Sequence, residues 1–371
     1  TIIELENSPE QVVERATWLA KQTNSELELL LCDPTSSYVR EEFIVSSEVR
    51  DLVNELYEAE GDALARLAEL PRAQGIKVAT DISHDRPIED VIINRASDID
   101  PRFVVKGTHY HTPAERATFS DTDWQLMKRL DFALWFVKPV AWKEKPLIVA
   151  AVDPMHQQDE EALLDARIVS MAQSLADECQ GRVALLHTYQ RLVEIGSRAT
   201  WAIKPVKLPI DELDQKLRDE HRQKLDSFAR EVGVDADAVH QLPGRAHELL
   251  PSFAQSHGAS LIVMGALSRS GLRKRYIGNT AARVLDHLPC DILVMAVGIR
   301  PNTGLGAETG LATGRGIHVD DHMMTSDENI LAVGECVEHN GAVFGLVAPP
   351  VSYTHLTLPT SSVMGGCGGG G

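Results

Sequence analysis

The chain repeats itself. Val105, Lys106 and Gly107 return 158 positions later as Val263, Met264 and Gly265, and the same offset carries Thr122 onto Thr280 and Leu134 onto Ile292. An offset that survives an apolar run, a loop, an amphipathic stretch and a second apolar run marks a duplicated domain, so each fold must close within part of the 371 residues. Asp153 ends the first strand of the second copy, and 158 positions earlier lies before residue 1. The first copy is therefore expected to lack most or all of its opening strand, and the absence of an initiator Met agrees.

Within each copy, short apolar runs alternate with longer amphipathic ones. "ELELLLCD", "KVATDIS", "RFVVKG" and "FALWFVKP" read as strands of the first copy, with "VRDLVNELYEAEGDALARLAEL", "PIEDVIINRA" and "DTDWQLMKRL" as helices between them. The second copy reads "PLIVAAVD", "RVALLHTY", "SLIVMGA" and "CDILVMAV" as strands, with helices at about 160–179, in "DELDQKLRDEHRQKLDSFAREVG", in "HELLPSFAQSHGA" and in "AARVLDHLP". Strands covered on both faces by helices become apolar throughout, so the expected class is α/β, two tandem doubly wound parallel-sheet domains. Repeat 1 is placed at 1–140 and repeat 2 at 145–297, joined by the hinge "KPVAWKEKP".

Charge and composition limit the function. Fifty-four acidic against 36 basic residues give a formal net charge of −18, a field that repels nucleic-acid phosphates. No apolar stretch reaches the roughly 18 residues of a membrane span, and the N-terminus has neither a basic nor an apolar signal region. The five cysteines, Cys32, Cys179, Cys290, Cys336 and Cys367, form no C-x-x-C pair, which argues against a zinc site or a disulfide framework. A cytoplasmic protein is expected, with small molecules or proteins as partners, no nucleic acid and no membrane.

Residues 1 to about 297 resemble a tandem universal stress protein of the E type, most specifically in "TDWQLMKRLDFALWFVK" and "IGNTAARVLDHLPCDILVM". The resemblance implies a stress-response regulator without a chemical step, paired through its last strands, either within the chain or as a homodimer. Nucleotide-binding members carry a glycine, two residues, a second glycine, nine residues, then glycine and a small hydroxyl residue. Here "GALSRSGLRKRYIGNTA" gives Gly265, Ser268 in place of the second glycine, Gly278, Asn279 and Thr280. Glycines there let the backbone approach phosphates, and N–H groups opening the next helix point at them. Arg269, Arg273, Lys274 and Arg275 bring positive charge to the loop, which also contains Gly271, and Asp153 holds the position that in the family faces adenine and ribose. The nucleotide-binding set is thus Asp153, Gly265, Ser268, Arg269, Gly271, Gly278, Asn279 and Thr280, with ATP as a ligand and no cofactor required. Ser268 and Asn279 depart from the family pattern, and a solvated basic loop joining strand to helix is the plain alternative.

The first repeat keeps Gly107 but replaces the other glycines, and Ser120 and Asp121 read as a helix cap, so no nucleotide is expected there. His109 and His111 share one face of an extended segment, with His84 at the end of another strand, and are read as polar strand-end residues rather than metal ligands. Trp124, Trp135 and Phe136 are read as core. No G-x-S-x-G elbow is present, and no catalytic residue is assigned.

After Val297 the repeat stops. Residues 298–350 resemble a fragment of the FAD-dependent pyridine nucleotide-disulfide oxidoreductases, in which "TSDENILAVGE" is the second flavin motif, with Glu335 at the ribityl chain. The N-terminal G-x-G-x-x-G unit of that family is missing, and "GLGAETG" has the wrong spacing and no amphipathic helix after it, so flavin binding is not expected. One back-translation of "VSYTHLTLPT" reads as a transposon-end adapter, and 351–371 is expected to be an artefactual or unstructured tail. Residues from about 299 onward are expected to lack a core of their own and to be dispensable for folding. The readings to be tested are a nucleotide-sensing regulator, a structural or interaction module acting through dimer surfaces, and a flavin oxidoreductase resting on the tail alone. Weak ATP hydrolysis is the one enzymatic activity the first would admit.

Overall fold

The computed structural model describes residues 1–33, 47–108, 122–155, 159–191, 210–265, 284–295, 303–314, 316–334, 336–339 and 342–343. They fall into two units, Thr1–Val297 and Gly298–Gly371, each described by itself.

In the first unit, repeat 1 runs β1 (Ile2–Ile3), α1 (Pro9–Gln22), β2 (Leu27–Cys32), α2 (Ser47–Ala73), β3 (Val78–Ser83), α3 (Ile88–Ile99), β4 (Val104–Gly107), α4 (Thr122–Arg129) and β5 (Leu134–Val137). Repeat 2 runs β6 (Leu147–Ala151), α5 (Asp159–Glu178), β7 (Arg182–Tyr189), α6 (Ile210–Glu231), β8 (Val239–Pro243), α7 (Ala246–His257), β9 (Leu261–Gly265) and β10 (Asp291–Met295), with a helical turn at 284–287 before β10. The α/β class is therefore observed, but the two sheets are one. The order is β3-β2-β1-β4-β5-β10-β9-β6-β7-β8, parallel within each repeat and antiparallel where β5 meets β10.

Helix α1 and strand β8 carry no counterpart in the elements expected from the sequence, and strand β1 is the short remnant of an opening strand expected to be mostly missing. Helix α1 begins at Pro9, which suits a first helical turn, and buries Val12, Val13, Ala16, Leu19 and Ala20 at helical spacing against the sheet. Strand β8, "VHQLP", buries only Val239 and is held as an edge by its parallel pairing with β7. Strand β1 is two residues long, yet it is inserted between β2 and β4.

The apolar runs become strands because both faces are covered. Two side-chain layers flank the sheet, one holding Ile3, Leu29, Trp135, Ile148, Leu185, Val263 and Leu293, the other Ile2, Leu30, Phe136, Val149, Leu186, Ile262 and Ile292. Neighbouring residues on a strand thus enter opposite layers, as the pleat requires. Trp124, Trp135 and Phe136 are fully buried, as core residues should be. Helix α7 ends at Gly258 (φ 62°), whose N–H reaches the carbonyls of Ala254 and Gln255, a left-handed position that glycine takes at least cost.

The duplication is visible as geometry. Leu130 N–H donates to Leu126 O, and 158 residues on Leu288 N–H donates to Val284 O. At the seam Trp135 lies opposite Leu293, Phe136 opposite Ile292 and Leu134 opposite Val294. Because Leu293 is the repeat counterpart of Trp135, the pairing is self-complementary, the arrangement of a two-fold interface within one chain.

The second unit contains α8 (Gly304–Glu308), lying on the "GLGAE" stretch, and a three-stranded sheet β11 (Ile317–His318), β12 (Val337–His339) and β13 (Ala342–Val343). Its buried cluster is Ile317, Ala332 and Val337. Among the described residues after 299, Ile317, Ala332 and Val337 thus form a small core, while Leu305, Leu331 and Val333 stay exposed. Residues 344–371, including the adapter-like stretch, lie outside the described residues, as does Glu335.

Candidate site at the strand switch points

In a doubly wound sheet the ligand crevice opens beyond the carboxyl ends of the strands, where the strand order reverses. The orders β3-β2-β1-β4-β5 and β8-β7-β6-β9-β10 place that reversal between β1 and β4 in repeat 1 and between β6 and β9 in repeat 2. Ala150 lies opposite Val263. Continuing this register brings Val152 level with Gly265 and Asp153 one residue beyond it. The two described members of the expected nucleotide set therefore flank one crevice. Ser268, Arg269, Gly271, Gly278, Asn279 and Thr280 lie outside the described residues, as do Arg273, Lys274, Arg275, Ser120, Asp121, His109 and His111.

Gly265 is the last residue of β9, and a Cβ there would come within 2.7 Å of Leu164 Cδ2 on α5. Gly107 ends β4 in the same way, and its Cβ would come within 3.0 Å of Val12 Cγ2 and 3.2 Å of the Asn7 carbonyl oxygen. Close helix packing against the strand end thus accounts for a glycine in both repeats, with no ligand needed to explain it.

Asp153 is embedded in a polar chain that sequence reasoning missed. Its N–H donates to Asp165 Oδ2 at 3.1 Å, and its Oδ1 stands 3.7 Å from Nδ1 of His187. His187, fully buried in β7, lies 3.1 Å from Val152 O through Nδ1 and 2.7 Å from His221 Nδ1 through Nε2. A carbonyl only accepts, so Nδ1 of His187 carries a proton, and a single further proton links Nε2 to His221 Nδ1. The Tyr189 ring packs on His221 at 5.1 Å. The available signal was a histidine inside the otherwise apolar run "RVALLHTY".

Repeat 1 is built differently at the equivalent positions. Ile2 lies opposite Lys106, as the extended register sets Ala151 opposite Met264, so Glu4 is the counterpart of Asp153 and Lys106 of Met264. Lys106 is 1% exposed. Its Nζ lies 2.8 Å from Glu4 Oε1 and 2.8 Å from Asp123 Oδ1, and Thr108 Oγ1 donates to Asp123 Oδ2 at 2.7 Å. Burial by itself would lower the ammonium's pKa, but the two carboxylates outweigh it and the net shift is upward. The cleft that remains beside this network is about 290 Å³, lined by Asn7, Ser8, Gln11, Gly107, Thr108 and Lys138 among others, at the bottom of the roughly 300–1,000 Å³ range of small-molecule pockets. The carboxylate ending each first strand thus has a basic partner in both repeats, from β4 in repeat 1 and from β7 in repeat 2. Only in repeat 2 is the β9 side apolar, with Met264.

Elsewhere, His84 Nε2 meets Glu60 Oε2 at 2.7 Å. Among the described residues no group of three or more His, Cys, Asp or Glu is placed to hold a metal ion, and no helix is long and apolar enough to cross a membrane.

Comparison with known proteins gives two assignments. The universal stress protein family matches residues 3–138 and again 148–296, and the pyridine nucleotide-disulphide oxidoreductase family matches 270–354. Universal stress protein E of Escherichia coli K12 is 28% identical over 222 residues, covering 57% of this chain and 66% of that protein, just under two thirds of its length. The nitrite reductase [NAD(P)H] of Bacillus subtilis is 38% identical over 133 residues, 32% of this chain and 16% of the enzyme. Among solved structures, a functionally unknown protein from Pseudomonas aeruginosa PAO1 shares the fold with a TM-score of 0.59 and 24% identity, covering 80% of this chain and 90% of that one.

Proposed function

From the premise that the chain belongs to the universal stress protein family, through two tandem domains similar to universal stress protein E, we propose that it is a cytoplasmic ligand-sensing regulator whose second repeat binds ATP or a related adenine nucleotide. The reading assigns no catalytic residue and no chemical step. One observation carries it. At the switch point of repeat 2, Asp153 is engaged from the β7 side by His187, and the β9 side presents Met264 and Gly265, whereas repeat 1 carries a buried ammonium there. In this reading Asp153 accepts from ribose hydroxyls or adenine N–H groups, and Ser268, Arg269, Gly271, Gly278, Asn279 and Thr280 of the glycine-containing loop bind the phosphates.

A second reading, an interaction module with empty crevices, is favoured by Ser268, whose Cβ stands where the family has glycine. Mass spectrometry of small molecules released from the denatured purified protein, followed by ATP titration, separates the two. Adenine nucleotide in the extract or saturable ATP binding, abolished by Gly278→Trp, supports the first. No release and no binding at millimolar ATP support the second, and released flavin would support a third, flavin-binding reading.

A further inference from the structure

Repeat 1 has kept the frame of a ligand crevice and fills it with its own side chain. By the 158-residue offset, Asp123 in the first turn of α4 is the counterpart of Ala281, one residue after Thr280. Its carboxylate therefore lies where a helix opens at the carboxyl end of the sheet, the place where such folds hold anions. Three observations describe the setting of this carboxylate. It is wholly buried; it lies 2.8 Å from an ammonium that is itself 1% exposed; and it accepts from the Thr108 hydroxyl at 2.7 Å on its other oxygen. Lys106 is in turn held from the far side by Glu4, the counterpart of Asp153. Every charged member sits at a position where repeat 2 has another residue: Glu4 for Asp153, Lys106 for Met264 and Asp123 for Ala281.

We propose that the switch point of repeat 1 is a self-occupied oxyanion site, with the Asp123 carboxylate standing in for an external ligand and Lys106 and Thr108 as the groups that bind it. This goes beyond the nucleotide reading of repeat 2 and does not depend on it. The ligand class of the emptied site is a small oxyanion: a carboxylate the size of formate, or inorganic phosphate. Repeat 1 then stays in the equivalent of its filled state whatever the solution contains, and refuses nucleotides because its anion position is taken.

The test uses the full chain and Asp123→Ala, which places the repeat 2 residue at this position. Thermal unfolding is followed in chloride, formate and phosphate at matched ionic strength. D123A is expected to gain about 2–4 °C in formate or phosphate beyond any gain of the wild type, as ligand binding to the folded state requires. The double variant K106M/D123A, lacking the ammonium, is expected to lose that extra gain. An anion site in repeat 2 would act equally in all three proteins and so cancels. If D123A is unfolded in chloride, formate or phosphate is expected to restore its circular dichroism. Equal anion responses in D123A and wild type, a response that persists without Lys106, or an unfolded D123A that neither anion restores would each overturn the proposal.

Discussion

The indole of Trp135 in repeat 1 donates to the carboxylate of Asp291 in repeat 2 at 3.0 Å, across the seam where β5 and β10 run antiparallel. The same carboxylate accepts from the indole of Trp142 at 3.1 Å and from the Lys138 N–H at 3.0 Å, and pairs with Arg15 at 2.8 Å. Arg15 in turn stacks over Trp142, 4.5 Å from the ring centroid. One buried side chain of repeat 2 thus collects the first helix, the last strand and the linker of repeat 1.

Asp291→Ala is therefore expected to destabilise the two-repeat unit by about 3–5 kcal/mol, because it leaves a partly buried guanidinium and two indole N–H groups without their acceptor. Urea unfolding monitored by tryptophan fluorescence and by circular dichroism measures this. A loss below about 1 kcal/mol would show that the seam is held by the strand pairing alone.

Lys106→Met removes one member of a buried pair and is expected to cost about 3–5 kcal/mol, while K106M/D123A recovers most of that loss. The pH dependence follows from the direction of the shift. The folded-state pKa of Lys106 lies above its ordinary value of 10.5, so the stabilisation is fully present below that value and is lost as the pH rises through the folded one. Wild-type urea midpoints are expected to fall above about pH 10.5 by an amount that the double variant does not show.

For the nucleotide site, Asp153→Ala is expected to weaken ATP about tenfold, the loss of one hydrogen-bonding carboxylate worth about 1.4 kcal/mol. Arg269→Ala is expected to weaken ATP and to flatten the salt dependence of binding, since a contact between charges is screened by ions. Titration calorimetry at low and high salt reads both, and affinities unmoved by either substitution would remove these residues from the site.

Burial pushes the thiols of Cys32 and Cys290 up to about 12, the nearby acidic residues adding to it. Both are then expected to resist alkylation at neutral pH until the chain unfolds, whereas Cys336, half-exposed, labels in the native state. Peptide mapping after timed iodoacetamide exposure distinguishes them.

A chain ending at Val297 is expected to unfold with the same midpoint as the full chain. Every residue in the two large buried layers belongs to Thr1–Val297, and the later segment buries its own small cluster. A drop of more than about 2 °C would show that the later residues contribute to the stability of the repeats.

Much of this fold was legible because its strands are short apolar runs and its duplication keeps one offset from β4 to the last strand of each repeat. "LELLLC", "VVKG" and "LWFV" become β2, β4 and β5, and their repeat 2 counterparts follow. Helix α1 has helical apolar spacing but is hard to read from sequence, because only two residues of strand precede it and the first long apolar run is β2. Strand β8 carries His240 and Gln241 in its middle and gains its place from backbone pairing, which leaves no apolar signature. The site was legible only where it followed a motif. Lys106 and Glu4 stand 102 residues apart and His187 and His221 stand 34 apart, so only the register of the strands and the seating of α6 bring them together. Each was visible as a polar residue in an apolar or amphipathic run; none announced its partner.

The self-complementary pairing of Trp135 and Leu293 also has a consequence for how the protein responds to its own concentration. An interface between two separate chains is populated by mass action and comes apart on dilution. Here Lys138 to Pro146 tether the two halves, so the association of β5 with β10 is unimolecular, with an effective concentration set by the reach of that short linker. The paired state is therefore populated to the same degree in a single molecule as at an abundance of a thousand copies.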